Sequence, residues 1–130
     1  MSTMFVLSSR LLLRGLLLAA VLLASSGAAA HVNLVGSTPA ADAHVPALPR
    51  IELVFDGALQ PGSARVTLSR LGAGGEAMPV GGLAITMDRA RTRVWATPEQ
   101  SPAQGHYRVE WHVIGTDGHP RSGSFGFMMH

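Results

Sequence analysis

The chain has 130 residues, a hydrophobic fraction of 47% and a formal net charge of +2, which is room for one compact domain. It has no cysteine, which excludes disulfide staples, thiolate metal sites and a cysteine nucleophile. Arg10 and Arg14 account for the whole charge excess and lie ahead of an apolar run, so the rest of the chain carries no basic footprint for nucleic acid.

Taken in chain order, Arg10 and Arg14 are followed by GLLLAAVLLA and then SSGAAA. A basic flank, an apolar segment and a small-residue end of the Ala-x-Ala kind make a cleavable signal peptide over residues 1–30. The apolar run is shorter than the roughly 20 residues a membrane-spanning helix needs. Ala28 and Ala30 fill the two cleavage positions, and a cut after Ala30 frees His31 as the first residue of a domain covering 31–130. With no cysteine after the leader, a lipid anchor is excluded.

The rest reads as all-β. RIELVFD (Arg50 to Asp56) alternates, with Ile51, Leu53 and Phe55 on one face and Glu52 on the other. ARVTLSR points Val66 and Leu68 inward. GLAITM and RTRVWAT are shorter strand candidates. HYRVEWHVI is the clearest: Tyr107, Val109, Trp111 and Val113 face one way, and His106, Arg108, Glu110 and His112 the other. SGSFGFMM places Phe125 and Phe127 together. STPAADAHVPALP, GALQPGS, LGAGGEAMPVGG, TPEQSPAQG and GTDGHPRSG read as turns and loops. About seven short strands separated by Gly/Pro turns predict a Greek-key β-sandwich, immunoglobulin-like or cupredoxin-like in type. Tyr107, at the start of a strand, is placed to form a tyrosine corner.

The chemistry must come from six histidines and eight acids. In TDGHP, Asp117 and His119 are two apart, so in an extended segment they project to one side, and Gly118 lets the backbone bend between them. By itself the pentapeptide reads more readily as an ordinary turn than as half of a metal site. His31 adds the second half. An N-terminal histidine offers its α-amine and its imidazole to one ion, and an α-amine sheds its proton near neutrality far more readily than lysine does. Two imidazoles, an amine and a carboxylate form a tetragonal N/O set of the kind Cu(II) prefers.

From His31 onward the sequence resembles the CopC family of periplasmic copper-binding proteins. The motifs that carry the likeness are the post-cleavage histidine with LVGSTPA, the strand RIELVFD, and the block GHYRVEWHVIGTDGHPRSGSFGF. The resemblance implies a small β-sandwich that binds one Cu(II) per chain through His31, Asp117 and His119. It implies a monomeric periplasmic carrier rather than an enzyme, working with a CopD-like inner-membrane protein. Two departures stand out. The loop that is methionine-rich in some relatives holds Met78 alone, with Met87 shortly after, so the chain reads as a Cu(II)-only type lacking a Cu(I) loop. Where some relatives place a glutamate near the copper, this chain has Gly57 after Asp56, which leaves His112, Asp56 or water to complete the site.

Two other functions fit parts of the pattern. One is a copper-dependent oxidative enzyme, which also uses a histidine brace but keeps an open coordination position and a flat aromatic surface. Aromatics are only 5% here. The other is a metal-free interaction module in which TDGHP is merely a turn. His44, His106 and His130 read as loop, solvated and terminal residues, and the methionines after the leader as packing or loop residues.

Overall fold

Residues 31–130 are described by a computed structural model, and the signal peptide read over residues 1–30 lies outside them. The period-2 patterns become strands with one buried face. Along β3 (Ile51–Phe55), Ile51, Leu53 and Phe55 are buried and Glu52 and Val54 are half-buried. Along β8 (Gly105–Ile114), Tyr107, Val109 and Val113 are buried while His106, Glu110 and His112 are exposed. The remaining strands are β1 (Leu34–Thr38), β2 (His44–Val45), β4 (Arg65–Leu71), β5 (Ala77–Pro79), β6 (Leu83–Met87), β7 (Arg93–Pro98) and β9 (Pro120–Met129).

Two sheets result, ordered β1-β3-β7-β6 and β2-β9-β8-β4-β5. Neighbours that are distant in sequence, β3 beside β7 and β4 beside β8, give the Greek-key type of sandwich that the turn spacing predicts. The inner faces meet in one core that includes Ile51, Leu53, Phe55, Leu68, Val94 and Val109. Tyr107 lies in this core, and its hydroxyl donates to the backbone carbonyl of Ala103, four residues upstream. That is the bond of a tyrosine corner.

The strands number nine among the described residues, against the expected seven or so. The additions fall in segments without apolar alternation. β1 runs through LVGST, and β2 contributes only His44 and Val45, which pair in parallel with Met128 and Met129. β5 lies inside the glycine-rich segment read as a loop, where its register against β4 sets Met78 opposite Arg70. Trp111, read as core, is half-buried, with its ring edge-on to Phe55 at 5.4 Å between centroids.

For the site, the decisive element is the β8–β9 hairpin. It pairs continuously from Gly105 opposite Met129 to Ile114 opposite Pro120. Its turn lies at the end of the sandwich where the chain enters β1.

Candidate metal centre

The hairpin turn is closed by its own backbone. The Gly115 amide donates to the His119 carbonyl at 3.2 Å, and the Gly118 amide donates to the Gly115 carbonyl at 2.9 Å. Gly118 has φ +83°, which side-chain-bearing residues rarely adopt. The Thr116 amide donates to the Ala58 carbonyl, which ties the turn to the neighbouring loop.

Within this turn Asp117 and His119 converge, though not because the segment is extended. The Asp117 carboxylate folds forward over the turn, so that Oδ1 accepts from the His119 amide at 3.1 Å. Its other oxygen, Oδ2, lies 3.1 Å from His119 Nδ1. Aspartate favours this local bond to the backbone two residues on.

His31 comes from the opposite direction and is held by the residues that follow it. Val32 is buried beneath the turn, where Cβ atoms added at Gly57 and Gly115 would lie 3.2 and 2.9 Å from its Cγ2. Asn33 then locks the segment. Its amide donates to Asp56 Oδ1 at 2.7 Å, and its carbonyl accepts from the Asp56 amide at 3.0 Å. Its side-chain nitrogen donates to the His31 carbonyl and to Asp56 Oδ2, both at 3.2 Å, while Arg121 donates to its side-chain oxygen at 2.8 Å.

The result brings the three expected residues together. His31 Nδ1 lies 3.3 Å from Asp117 Oδ2, the same oxygen that faces His119. The two imidazoles meet edge to face, with centroids 4.9 Å apart and planes at 86°. One ligand atom from each of His31, Asp117 and His119 falls within a 4.8 Å span. The histidine side chains are 52% and 58% exposed and the aspartate 15%, so an ion from solvent can reach the rings while the carboxylate stays fixed below.

Electrostatics keep that carboxylate ionised. The His119 amide, followed by the His119 and His31 side chains, holds Asp117 below the ordinary carboxylate value of 3.8. Asp56 is lowered too, chiefly by the Asn33 amide and then by its side chain. Groups depressed in this way stabilise the fold above the unfolded carboxylate range, and that contribution is lost as pH falls through their folded values. The metal-free domain is therefore expected to lose stability as acidification passes through and below the ordinary carboxylate range. Asp56→Asn should flatten that slope, as read from urea midpoints at several pH values. An unchanged slope would show that the Asn33–Asp56 clamp does not act through the charge.

The other candidates are placed elsewhere. Asp56 is committed to the Asn33 clamp. His112 projects outward from β8, opposite Arg65 and Ser122. Sequence reasoning passed over Asn33 and Arg121, whose only signal is an asparagine two residues after His31. Asn33→Ala is expected to weaken metal binding roughly tenfold by freeing His31, as supporting residues around metal ligands commonly do. A titration showing unchanged affinity would contradict the clamp's role.

Known proteins share this arrangement of strands and sequence. A family model described as CopC domain matches residues 34–130. The chain is 34% identical over 108 residues to the copper resistance protein C of Xanthomonas campestris pv. juglandis, covering 81% of this chain and 84% of that one. It is 33% identical over 114 residues to the protein of that name from Pseudomonas syringae pv. tomato, covering 85% and 90%. Among solved structures, PcoC, a methionine-rich copper resistance protein from Escherichia coli, superposes with a TM-score of 0.70 at 28% identity, covering 78% of this chain and 100% of that one. CopC from Methylosinus trichosporium OB3b superposes with a TM-score of 0.61 at 25% identity, covering 76% and 93%. With its fold and almost all of its described residues matched, the chain belongs to the CopC family.

Proposed function

We propose that the protein is a periplasmic Cu(II) carrier that holds one ion between His31, Asp117 and His119 after removal of residues 1–30. The observation that carries this reading is the convergence of three ligand-bearing side chains within 4.8 Å on a turn and a clamped segment. The donor chemistry fits the ion. Imidazole nitrogen and carboxylate oxygen are borderline and hard donors, and a tetragonal set of them favours Cu(II).

Processing supplies the fourth donor. While residues 1–30 are attached, the His31 nitrogen is an amide. Cleavage makes it an amine that can close a six-membered chelate ring through Nδ1. Nδ1 is the ring atom that faces Asp117. Binding then requires both imidazoles to be free of protons on their ligating nitrogens.

A carrier suits this donor set better than an oxidative enzyme. Two imidazoles, an amine and a carboxylate fill the plane that an oxygen-activating copper site leaves open. The family relatives are named for copper resistance, which fits a carrier that passes copper to a CopD-like inner-membrane partner. Cu(II) titration of the secreted protein tests the assignment. One equivalent should bind, with His119→Ala lowering affinity at least about 100-fold. Unchanged stoichiometry and affinity in that variant would place the copper elsewhere. Sustained turnover with Cu(II), ascorbate and oxygen would contradict the carrier role.

Acidification should also release the ion. Protons compete with the ion for both imidazole ligands, so affinity should fall steadily from about pH 8 to about pH 5. A flat affinity over that range would exclude imidazole ligation.

A further inference from the structure

Four of the side chains set aside above share one face at the far end of the hairpin. His44 on β2 pairs with Met128 on β9, and Met128 pairs with His106 on β8. Three adjacent strands therefore carry His44, Met128 and His106 in one lateral row. Met129 is buried, so Met128 turns to the outer face, where His44 and His106 are exposed. His130 follows two residues after Met128 on that same face. Its amide donates to the Val45 carbonyl at 3.0 Å, which continues the β2–β9 pairing past the last strand residue. The His130 ring meets the His44 ring edge-on, with centroids 5.0 Å apart and planes at 88°. This is nearly the geometry of His31 and His119.

An acid is within the same group. Asp42 stands two residues before His44, a second Asp-x-His pair in the chain. Its amide is fixed to the Gly126 carbonyl at 2.7 Å, and its φ is +63°. Asp42, His44, His106 and Met128 all line one surface cleft of about 210 Å³, and Gly126 leaves its floor without a side chain.

We propose that this cleft is a second metal site, built by His44, His106 and His130 with Met128 beneath them, for a d¹⁰ late first-row ion. The spacing permits it. Neighbouring strands lie about 4.8 Å apart, so His44 and His106 flank Met128 at roughly 10 Å from Cβ to Cβ. Two imidazoles with metal–nitrogen bonds of about 2.0 Å can span that gap to a shared ion centred over the thioether. The exposed rings turn into place on a fast timescale. Zn(II) and Cu(I) impose no ligand-field geometry and accept this three-sided set. Imidazole serves both, and the thioether favours Cu(I). The site stands about 30 Å along the hairpin from Asp117 and does not depend on the reading of the first centre.

The test uses the secreted protein and its His119→Ala variant, titrated separately with Zn(II) and with Cu(I) held as its acetonitrile complex. Histidine ring signals are followed by NMR. One equivalent of at least one of the two ions should shift the His44, His106 and His130 rings in both proteins. His44→Ala and His130→Ala should each weaken that binding at least about tenfold. Met128→Leu should weaken Cu(I) and leave Zn(II) within about twofold. If neither ion shifts these rings, or if His44→Ala and His130→Ala leave affinity unchanged, the second site does not exist. If Met128→Leu leaves Cu(I) affinity unchanged, the assignment of the thioether as a ligand is overturned. Loss of copper at the first centre in His119→Ala, with this site intact, separates the two claims.

Discussion

A single residue added ahead of His31 is expected to lower Cu(II) affinity on the order of a thousandfold, about 4 kcal/mol. The extension leaves every side chain of the centre in place. Val32 stays buried, Asn33 stays clamped to Asp56, and Asp117 and His119 keep their turn. It changes one atom's chemistry, turning the His31 amine into an amide that keeps its proton at neutral pH. The chelate ring through Nδ1 is then lost together with one donor. An extended and a processed protein compared by competition with a Cu(II) chelator give the result directly. Equal affinities would mean that the amine is not a ligand and that side chains alone hold the ion.

Gly115→Ala is expected to carry the second large effect, because fold and site meet at that residue. A Cβ there would lie 2.7 Å from Asp117 Oδ1 and 2.9 Å from Val32 Cγ2. Both atoms belong to groups with little room. Val32 is 5% exposed, and the Asp117 oxygen already accepts the His119 amide. Overpacking of this kind costs about 1–3 kcal/mol of stability. Here it also pushes apart the two segments that present His31 and Asp117, so copper affinity should fall at least about tenfold as well. Urea denaturation and copper titration of the same variant read both effects. A loss of stability with unchanged affinity would show that Asp117 does not need its position under the turn.

The sandwich could be read where burial writes a pattern. HYRVEWHVI and RIELVFD carry their buried faces as plain alternation, and both are strands with those faces inside. Alternation fails where pairing comes from the backbone alone. β2 is two residues long and borrows its register from Met128 and Met129, which no local signal announces. β5 is three exposed residues in a glycine-rich segment, held as a strand because β4 offers it an edge. β1 mixes Gly36, Ser37 and Thr38 into its five residues and takes its place from β3.

The site divides in the same way. Asp117 and His119 are neighbours in sequence, and their convergence was expected, though the turn achieves it by an aspartate-to-backbone bond instead of by strand alternation. His31 entered through the logic of a cleavage position. What holds His31 in place was hidden, because Asn33, Asp56 and Arg121 are brought together across 23 and 88 residues of chain. Long-range clamps of this kind leave no periodic trace. For the same reason His44, His106 and His130 read singly as unremarkable surface histidines, and only the strand order brings them to one face.

Native mass spectrometry of the protein as secreted, with one equivalent of Cu(II) added, bears most directly on the copper centre. The expected species begins at His31 and keeps one copper against a competing chelator, and the same preparation of His119→Ala loses its copper to that chelator. A first residue other than His31 with copper still bound, or full copper retention in His119→Ala, would contradict a centre built on the freed histidine and the Asp117–His119 pair.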